Sequence, residues 1–241
     1  MSEEFIHVDL PSRGLAYPGV DMSKVAIRTL TGKEEKLLAE MTSDNLEKKF
    51  LAVLKNVLQG MDPIKLTVGD RLYLIVWEAI NSYTQKIDFD HICGICYQKI
   101  QTSADLSKLN IKELPKTYKE PYEVSLSNDK LIHLRLATVQ DEINIADFEK
   151  RGESSYLYRF ALTIVDNTDV VERMKFLEGL SGRDFVKIRA FQNKFYHGPD
   201  MTIKNHECEL CGGVEDIPVP FRIGLLFQSG EGFEERFDTT I

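Results

Sequence analysis

Two short stretches of the chain share one pattern. His91-Ile92-Cys93-Gly94-Ile95-Cys96 and His206-Glu207-Cys208-Glu209-Leu210-Cys211 both read H-x-C-x-x-C, and together they use all four cysteines. A C-x-x-C turn brings two thiolates close enough to share one metal, and two such turns complete a tetrahedral four-cysteine zinc site. The fold must then carry Cys93 and Cys96 to Cys208 and Cys211 across the 111 residues that separate Cys96 from Cys208. Zinc ribbons usually leave roughly 15–20 residues between their pairs. Closing a loop about six times longer costs only about 1.6 kcal/mol more, against on the order of 10 kcal/mol from a structural zinc. The insertion is tolerable provided that its ends meet.

Other fates of the thiols compete with one zinc per chain. A redox dithiol of the thioredoxin kind opens a helix after a βαβ strand, and neither pair is so placed. Disulfides need an oxidising compartment, and no signal peptide is seen. Unrelated buried thiols are the remaining alternative. His91 or His206 could stand in for a cysteine, although a histidine two residues before a knuckle more often supports the ligands from behind or lies on the surface. A catalytic zinc keeps an open position on three protein ligands, so four available cysteines favour a closed, structural site.

Hydrophobic residues make up 43% of the 241, ordinary for a chain that buries a core. No apolar run approaches the roughly 20 residues needed to span a bilayer, which leaves no membrane role. The formal net charge is −8, and the second knuckle and the tail are locally acidic through Glu207, Glu209, Glu215 and Asp216, then Glu231, Glu234, Glu235 and Asp238. A ribbon that binds phosphates needs a Lys/Arg face. This one lacks it, so it reads as structural or as a protein-docking element rather than a nucleic-acid binder. No low-complexity tract and no helical repeat stand out.

In chain order, residues 1–30 read as an extended arm. Its Leu10–Pro18 loop suits either a surface turn or a segment packed on a partner, and Lys24–Arg28 alternates as a strand. Residues 31–85 read as a helical lobe: Thr31-Gly32-Lys33-Glu34 is a capping box, Asp44 with Glu47 caps a second helix ended by Gly60 and Pro63, and Thr67 caps a third, central one through about Tyr83. Residues 86–137 read as β-hairpins, the first carrying a knuckle at its tip and the second turning at Ser127–Lys130, with 110–122 as a connector. A second helical lobe follows over 138–198, with starts at Thr138, Tyr156, Asp169 and Ser181. Residues 199–227 hold the second knuckle, and 228–241 form a Gly- and Glu-rich tail. The class is therefore α+β: mainly helical lobes joined by a β-rich middle with a split four-cysteine zinc ribbon on Cys93, Cys96, Cys208 and Cys211.

Catalytic motifs are missing. There is no P-loop, no G-x-G-x-x-G after a strand, no H-E-x-x-H and no G-x-S-x-G. The five histidines (His7, His91, His133, His197, His206) form no readable triad with a nucleophile. The chain reads as a non-enzyme.

Several stretches, taken together, are similar to the bacteriophage T4-type baseplate hub family, which includes a hub subunit and a related hub-assembly protein. They begin with Leu10-Pro11-Ser12-Arg13-Gly14-Leu15-Ala16-Tyr17-Pro18 and Val25-Ala26-Ile27-Arg28-Thr29-Leu30-Thr31-Gly32-Lys33-Glu34-Glu35-Lys36-Leu37-Leu38. The helix after Asp70, the C-x-x-C hairpin followed by Ala104-Asp105-Leu106, and Leu134-Arg135-Leu136-Ala137-Thr138-Val139-Gln140-Asp141-Glu142 also fit. The resemblance covers roughly the first 145 residues well and the remainder loosely, and no catalytic residue comes with it. It implies a non-enzymatic protein of the contractile-tail hub, in contact with other hub proteins or the tape-measure protein. Such a protein assembles in the host cytoplasm. It either stays in the virion tail or acts transiently as an assembly chaperone. A zinc-ribbon nucleic-acid-binding factor and a dithiol oxidoreductase are the readings from other classes.

Overall fold

A computed structural model describes residues 4–42, 44–166 and 168–227. The expected 228–241 tail lies outside them. Strand β1 (Ile6–His7) leads into the Leu10–Pro18 loop, and β2 (Ala26–Ile27) returns antiparallel to it. Thr31 then opens α1 (Gly32–Ala39), with the expected capping box. Helix α2 (Leu46–Val57) buries Phe50, Val53, Leu54 and Val57 at helical spacing. Its N-cap is Asn45 rather than Asp44, and the Asn45 side chain is used to stitch the α1–α2 turn: it accepts from Thr42 N–H at 2.8 Å and donates to the Glu40 carbonyl at 3.2 Å. Beyond α2 the chain does not simply turn at Gly60. β3 (Leu58–Gln59) pairs with β2 and completes a three-stranded sheet.

Helix α3 (Val68–Ser82) starts at Thr67, whose hydroxyl accepts from Asp70 N–H. The first knuckle hairpin is β4 (Lys86–Ile92) and β5 (Lys99–Asp105), in unbroken register from Lys86↔Asp105 to Ile92↔Lys99. The connector holds β6 (Ile111–Lys112), and the second hairpin is β7 (Tyr122–Ser125) with β8 (Leu131–Leu134). Four helices follow: α4 (Val139–Glu149), α5 (Tyr156–Thr163), α6 (Val170–Glu178) and α7 (Gly182–Lys194). Then β9 (Gly198–Pro199) pairs back on β6, and β10 (Thr202–Glu207) with β11 (Val214–Pro218) flank the second knuckle. A short α8 (Ile223–Phe227), not foreseen from sequence, buries Phe227. The α+β class stands, with helical segments on both sides of a hairpin-rich stretch. Among the described residues no helix is long and apolar enough to cross a membrane.

Helix α3 is central because two cores meet on it. Leu74 belongs to the larger core, which joins Val8, Leu10 and Tyr17 of the N-terminal segment to Ile132, Leu134, Phe160, Ile188 and Phe195. Ile75, Val76 and Ala79 belong to the other, with Leu38, Met41, Phe50, Ile87, Val219 and Phe227. Arg71 on α3 also pairs with Glu47 of α2 and, at 2.9 Å, with Glu142 of α4.

The two halves of the chain repeat one plan. In each, an antiparallel strand pair ends in an arginine, Arg28 or Arg135. Three residues on stands the helix-opening threonine, Thr31 or Thr138, and three further the carboxylate, Glu34 or Asp141. The arginine grips that carboxylate with both terminal nitrogens, at 3.2 and 3.2 Å for Arg28 and at 2.6 and 2.8 Å for Arg135. It also donates to the next carbonyl, Thr29 O at 2.9 Å or Leu136 O at 3.0 Å. The same carboxylate accepts from the threonine N–H and hydroxyl. The arginine's own N–H reaches the end of the second helix, Val57 O or Thr163 O, and the chain beyond that helix pairs back on the strand (Ile27↔Leu58, Leu134↔Ile164). Before each knuckle runs a helix capped by Ser/Thr-x-x-Asp. Its aspartate, Asp70 or Asp184, accepts the N–H of a serine that follows the first strand, Ser12 at 2.9 Å or Ser127 at 2.8 Å. The repeat is faint in sequence because its shared residues are few and polar and the stretches between its motifs differ in length. The first copy also has a long β1–β2 loop, and a single turn over Pro63–Lys65 where the second has α6.

Glu78 of α3 is 2% exposed, and burial pushes its carboxyl up to about 8. Its Oε2 accepts from Ser82, while Oε1 has no hydrogen-bond partner among the described residues. A carboxyl that is raised on folding favours the native state below its unfolded value, and that advantage is lost as pH rises through about 8. Glu78→Gln should therefore gain thermal stability relative to the natural chain as pH is raised from 5 to 8, as measured by melting curves of both proteins across that window.

Candidate metal centre

The two knuckles are built alike from the backbone up. In the first, Tyr97 N–H donates to Cys93 O at 2.9 Å and Cys93 N–H donates to Gln98 O at 3.0 Å. In the second, Gly212 N–H donates to Cys208 O and Cys208 N–H donates to Gly213 O, both at 2.8 Å. The residue after each second cysteine is left-handed: Tyr97 at φ 59° and Gly212 at φ 69°. Glycine adopts that conformation freely, and tyrosine does so at some cost. Each turn therefore reverses the chain while its hairpin sets where the thiols point.

The structure brings all four cysteines together. Their sulfurs lie within 4.8 Å of one another, and the cross-knuckle pairs Cys93–Cys211 and Cys96–Cys208 are 4.0 and 3.9 Å apart. These thiols are free, not disulfide-linked. A tetrahedron of zinc–sulfur bonds of about 2.3 Å has edges of about 3.8 Å, so the two cross-knuckle separations are close to such an edge and the cluster is compatible with one such ion. Backbone N–H groups of Leu210 and Cys211 hold the Cys208 thiol down to about 7. At Cys93 the N–H groups of Cys96 and Ile95 pull the same way, but burial and the neighbouring Glu215 and Cys96 outweigh them, and the thiol rises to about 12. A divalent cation bound at the centre of such a cluster would favour the thiolate forms.

The histidines of the two patterns do not join the sulfurs. His91 Nε2 lies 3.2 Å from Glu215 Oε1, and His206 stands opposite Glu215 across β10 and β11. Glu215 is the residue that sequence reasoning missed. Projecting from the second hairpin, its two carboxylate oxygens accept from Gly94 N–H of the first knuckle at 3.2 and 3.0 Å. That N–H, then the Cys93 thiol and His91, holds its carboxyl below the usual range. Spacing alone gave no signal for it, because its partner lies in the other half of the chain.

A second polar cluster is buried at the start of α3. Asp70 accepts from Ser12 N–H and, at 2.5 Å, from the Tyr17 hydroxyl, while Thr67 N–H donates to Tyr17 Oη at 2.8 Å. His197 Nδ1 faces Phe195 O at 3.0 Å, which leaves Nε2 to accept from the Thr67 hydroxyl at 2.7 Å. Burial, then the charge of Asp70, holds the Tyr17 phenol well above its usual range. Although it joins a histidine, a hydroxyl and a carboxylate, this cluster is sealed: Thr67 is 2% exposed and His197 4%. It caps a helix, and it gives the Leu10–Pro18 string its role on the chain's own core. At Gly198, with φ +101°, a Cβ would come within 2.6 Å of Gly69 O, so glycine lets β9 cross the start of α3.

A family model described as T4 bacteriophage base plate protein matches residues 3–218, nearly the whole chain and both halves of the cysteine cluster. The chain belongs to this family. No curated protein and no solved structure matches it. As a member of the T4 base plate family, it is a phage baseplate protein. Membership implies contacts with other baseplate proteins and a place in the virion tail. It is also in keeping with the absence of a recognisable catalytic motif.

Glu215 offers a test of how this baseplate protein joins its two knuckles. Glu215→Gln keeps the shape but removes the charge from the contacts to Gly94 and His91, and should lower the denaturant midpoint of unfolding relative to the natural chain.

Proposed function

We propose that this protein is a non-enzymatic component of the baseplate hub, a structural subunit or an assembly factor that acts through protein–protein contacts. Its partners are other hub proteins, the tape-measure protein, or both. It is made and assembled in the host cytoplasm. The observation that carries the baseplate part of the reading is the family match over residues 3–218; the hub part rests on the resemblance of the Leu10–Pro18 and Val25–Leu38 strings. Cys93, Cys96, Cys208 and Cys211 hold one structural Zn2+ per chain in this reading. What supports zinc is a set of four sulfurs spaced for a tetrahedral ion, with no open position on it.

Metal analysis of the purified protein should return one zinc per chain. Cys93→Ser and Cys208→Ser, from opposite halves, should each lose that ion and lower the melting temperature. A variant that kept full zinc and melted unchanged would exclude a shared site. A DNA- or heparin-binding measurement at low salt separates out the ribbon reading, which requires salt-sensitive retention.

Mass spectrometry of purified virions and of baseplate intermediates should find the chain in at least one of them. Presence in the virion makes it a structural subunit, and presence in intermediates alone makes it an assembly chaperone. Absence from both ends the hub reading.

A further inference from the structure

The joined knuckle tips carry side chains that neither the fold nor the metal uses. Ile92, Ile95, Tyr97, Leu210 and Val214 are between 53% and 78% exposed, and each lies within three residues of one of the four cysteines. Isolated exposed apolar residues are ordinary, but a cluster at one tip is not. The cluster is continuous across the two hairpins. Ile95 of the first knuckle lies against Gly213 of the second, where a Cβ would meet its Cδ1 at 2.5 Å, and Val214 follows directly. Ile95 and Leu210 also hold the same position within their C-x-x-C turns, so the repeated plan supplies an exposed aliphatic side chain from each half.

The rim of this patch is acidic. Asp90 is paired with Lys99 and Asp216 with Lys204, so these two lysines are taken, and Glu215 lies against His91. Asp88, Glu207 and Glu209 are exposed and make no ion pair among the described residues. An apolar centre ringed by free carboxylates complements a segment with large apolar side chains and flanking lysines, and repels another acidic surface, including a second copy of this chain.

We propose that the joined knuckle tips are a docking surface for a lysine-flanked apolar segment of another baseplate polypeptide. The proposal rests on the baseplate reading above and adds the surface and the chemistry of the partner. Two double variants test it in infected cells: Tyr97→Asn with Leu210→Ser, which removes apolar surface, and Glu207→Lys with Glu209→Lys, which reverses the rim. Both should keep the metal content and melting temperature of the natural chain, while their recovery in baseplates or baseplate intermediates falls at least tenfold. Recovery at the natural level overturns the proposal. Carbodiimide cross-linking of assemblies holding the natural chain should join Asp88, Glu207 or Glu209 to lysines beside large apolar residues in a different polypeptide. Links that lead only to a second copy of this chain overturn the choice of partner. The absence of such links, while other carboxylates of the chain are linked, also overturns it. If the natural chain itself is missing from both virions and intermediates, the baseplate hub reading fails first, and that result is distinct from a variant entering normally.

Discussion

Four sulfurs within 4.8 Å of one another are hard to hold together once they ionise. A pair of unit charges at about 4 Å repels by about 4 kcal/mol at the dielectric typical near a protein surface. A cluster loaded with a metal would need two things: the cation to offset that charge, and a backbone that holds the four thiols in place. The second is visible throughout the fold. Each knuckle closes on its own backbone hydrogen bonds, and Glu215 reaches from one hairpin to an N–H of the other. Each hairpin is fed by a helix whose capping aspartate is tied to a distant serine. The helices that lead to the two hairpins are thus anchored at their starts, well away from the sulfurs.

That division of labour appears twice because the chain repeats its plan. The Arg–Thr–carboxylate clamp is the part of the plan with the least freedom. A buried ion pair adds little net stability once desolvation is counted, yet this one joins a strand end, a helix start and the end of the next helix in a single set of bonds. Burial alone would raise the Glu34 carboxyl; Arg28 and Thr31 instead hold it down to about 2. The clamp thereby specifies where the strand pair stops and the helix begins, and this is the geometric decision that each half must make identically if the two knuckles are to face one another.

What the sequence disclosed follows the range of the interaction concerned. The knuckles, the Thr31 and Thr67 caps and the Ser127–Lys130 hairpin rest on residues a few positions apart, and spacing reveals them. The Asp44 assignment failed locally, because Asn45 had a better use for its amide in the preceding turn. β3, β6 with β9, and α8 are short and owe their existence to partners far along the chain, so no window of sequence contains their cause. Glu215 and the seal over Asp70 belong to the same group. The Leu10–Pro18 string could be marked as unusual, but its contacts with Thr67 and Asp70 lie 50 and 58 residues away.

The same non-local contacts revise the cost of the long insertion. Treating Cys96 to Cys208 as one open loop overstates the entropy of closing it. β6 pairs with β9, and Asp200 N–H donates to Asn110 O at 2.8 Å. With that contact made, only the stretches from Cys96 to Asn110 and from Asp200 to Cys208 are left to close, about 22 residues in all, close to the spacing of an ordinary ribbon. The helices and the second hairpin between them form a folded excursion that starts and ends at one point. Its residues Ile132, Phe160, Ile188 and Phe195 pack into the larger core, which they share with the N-terminal segment and with Leu74 of α3. A metal bound at the four sulfurs would then act chiefly on the two hairpins, by linking their tips, rather than on closure of the chain as a whole.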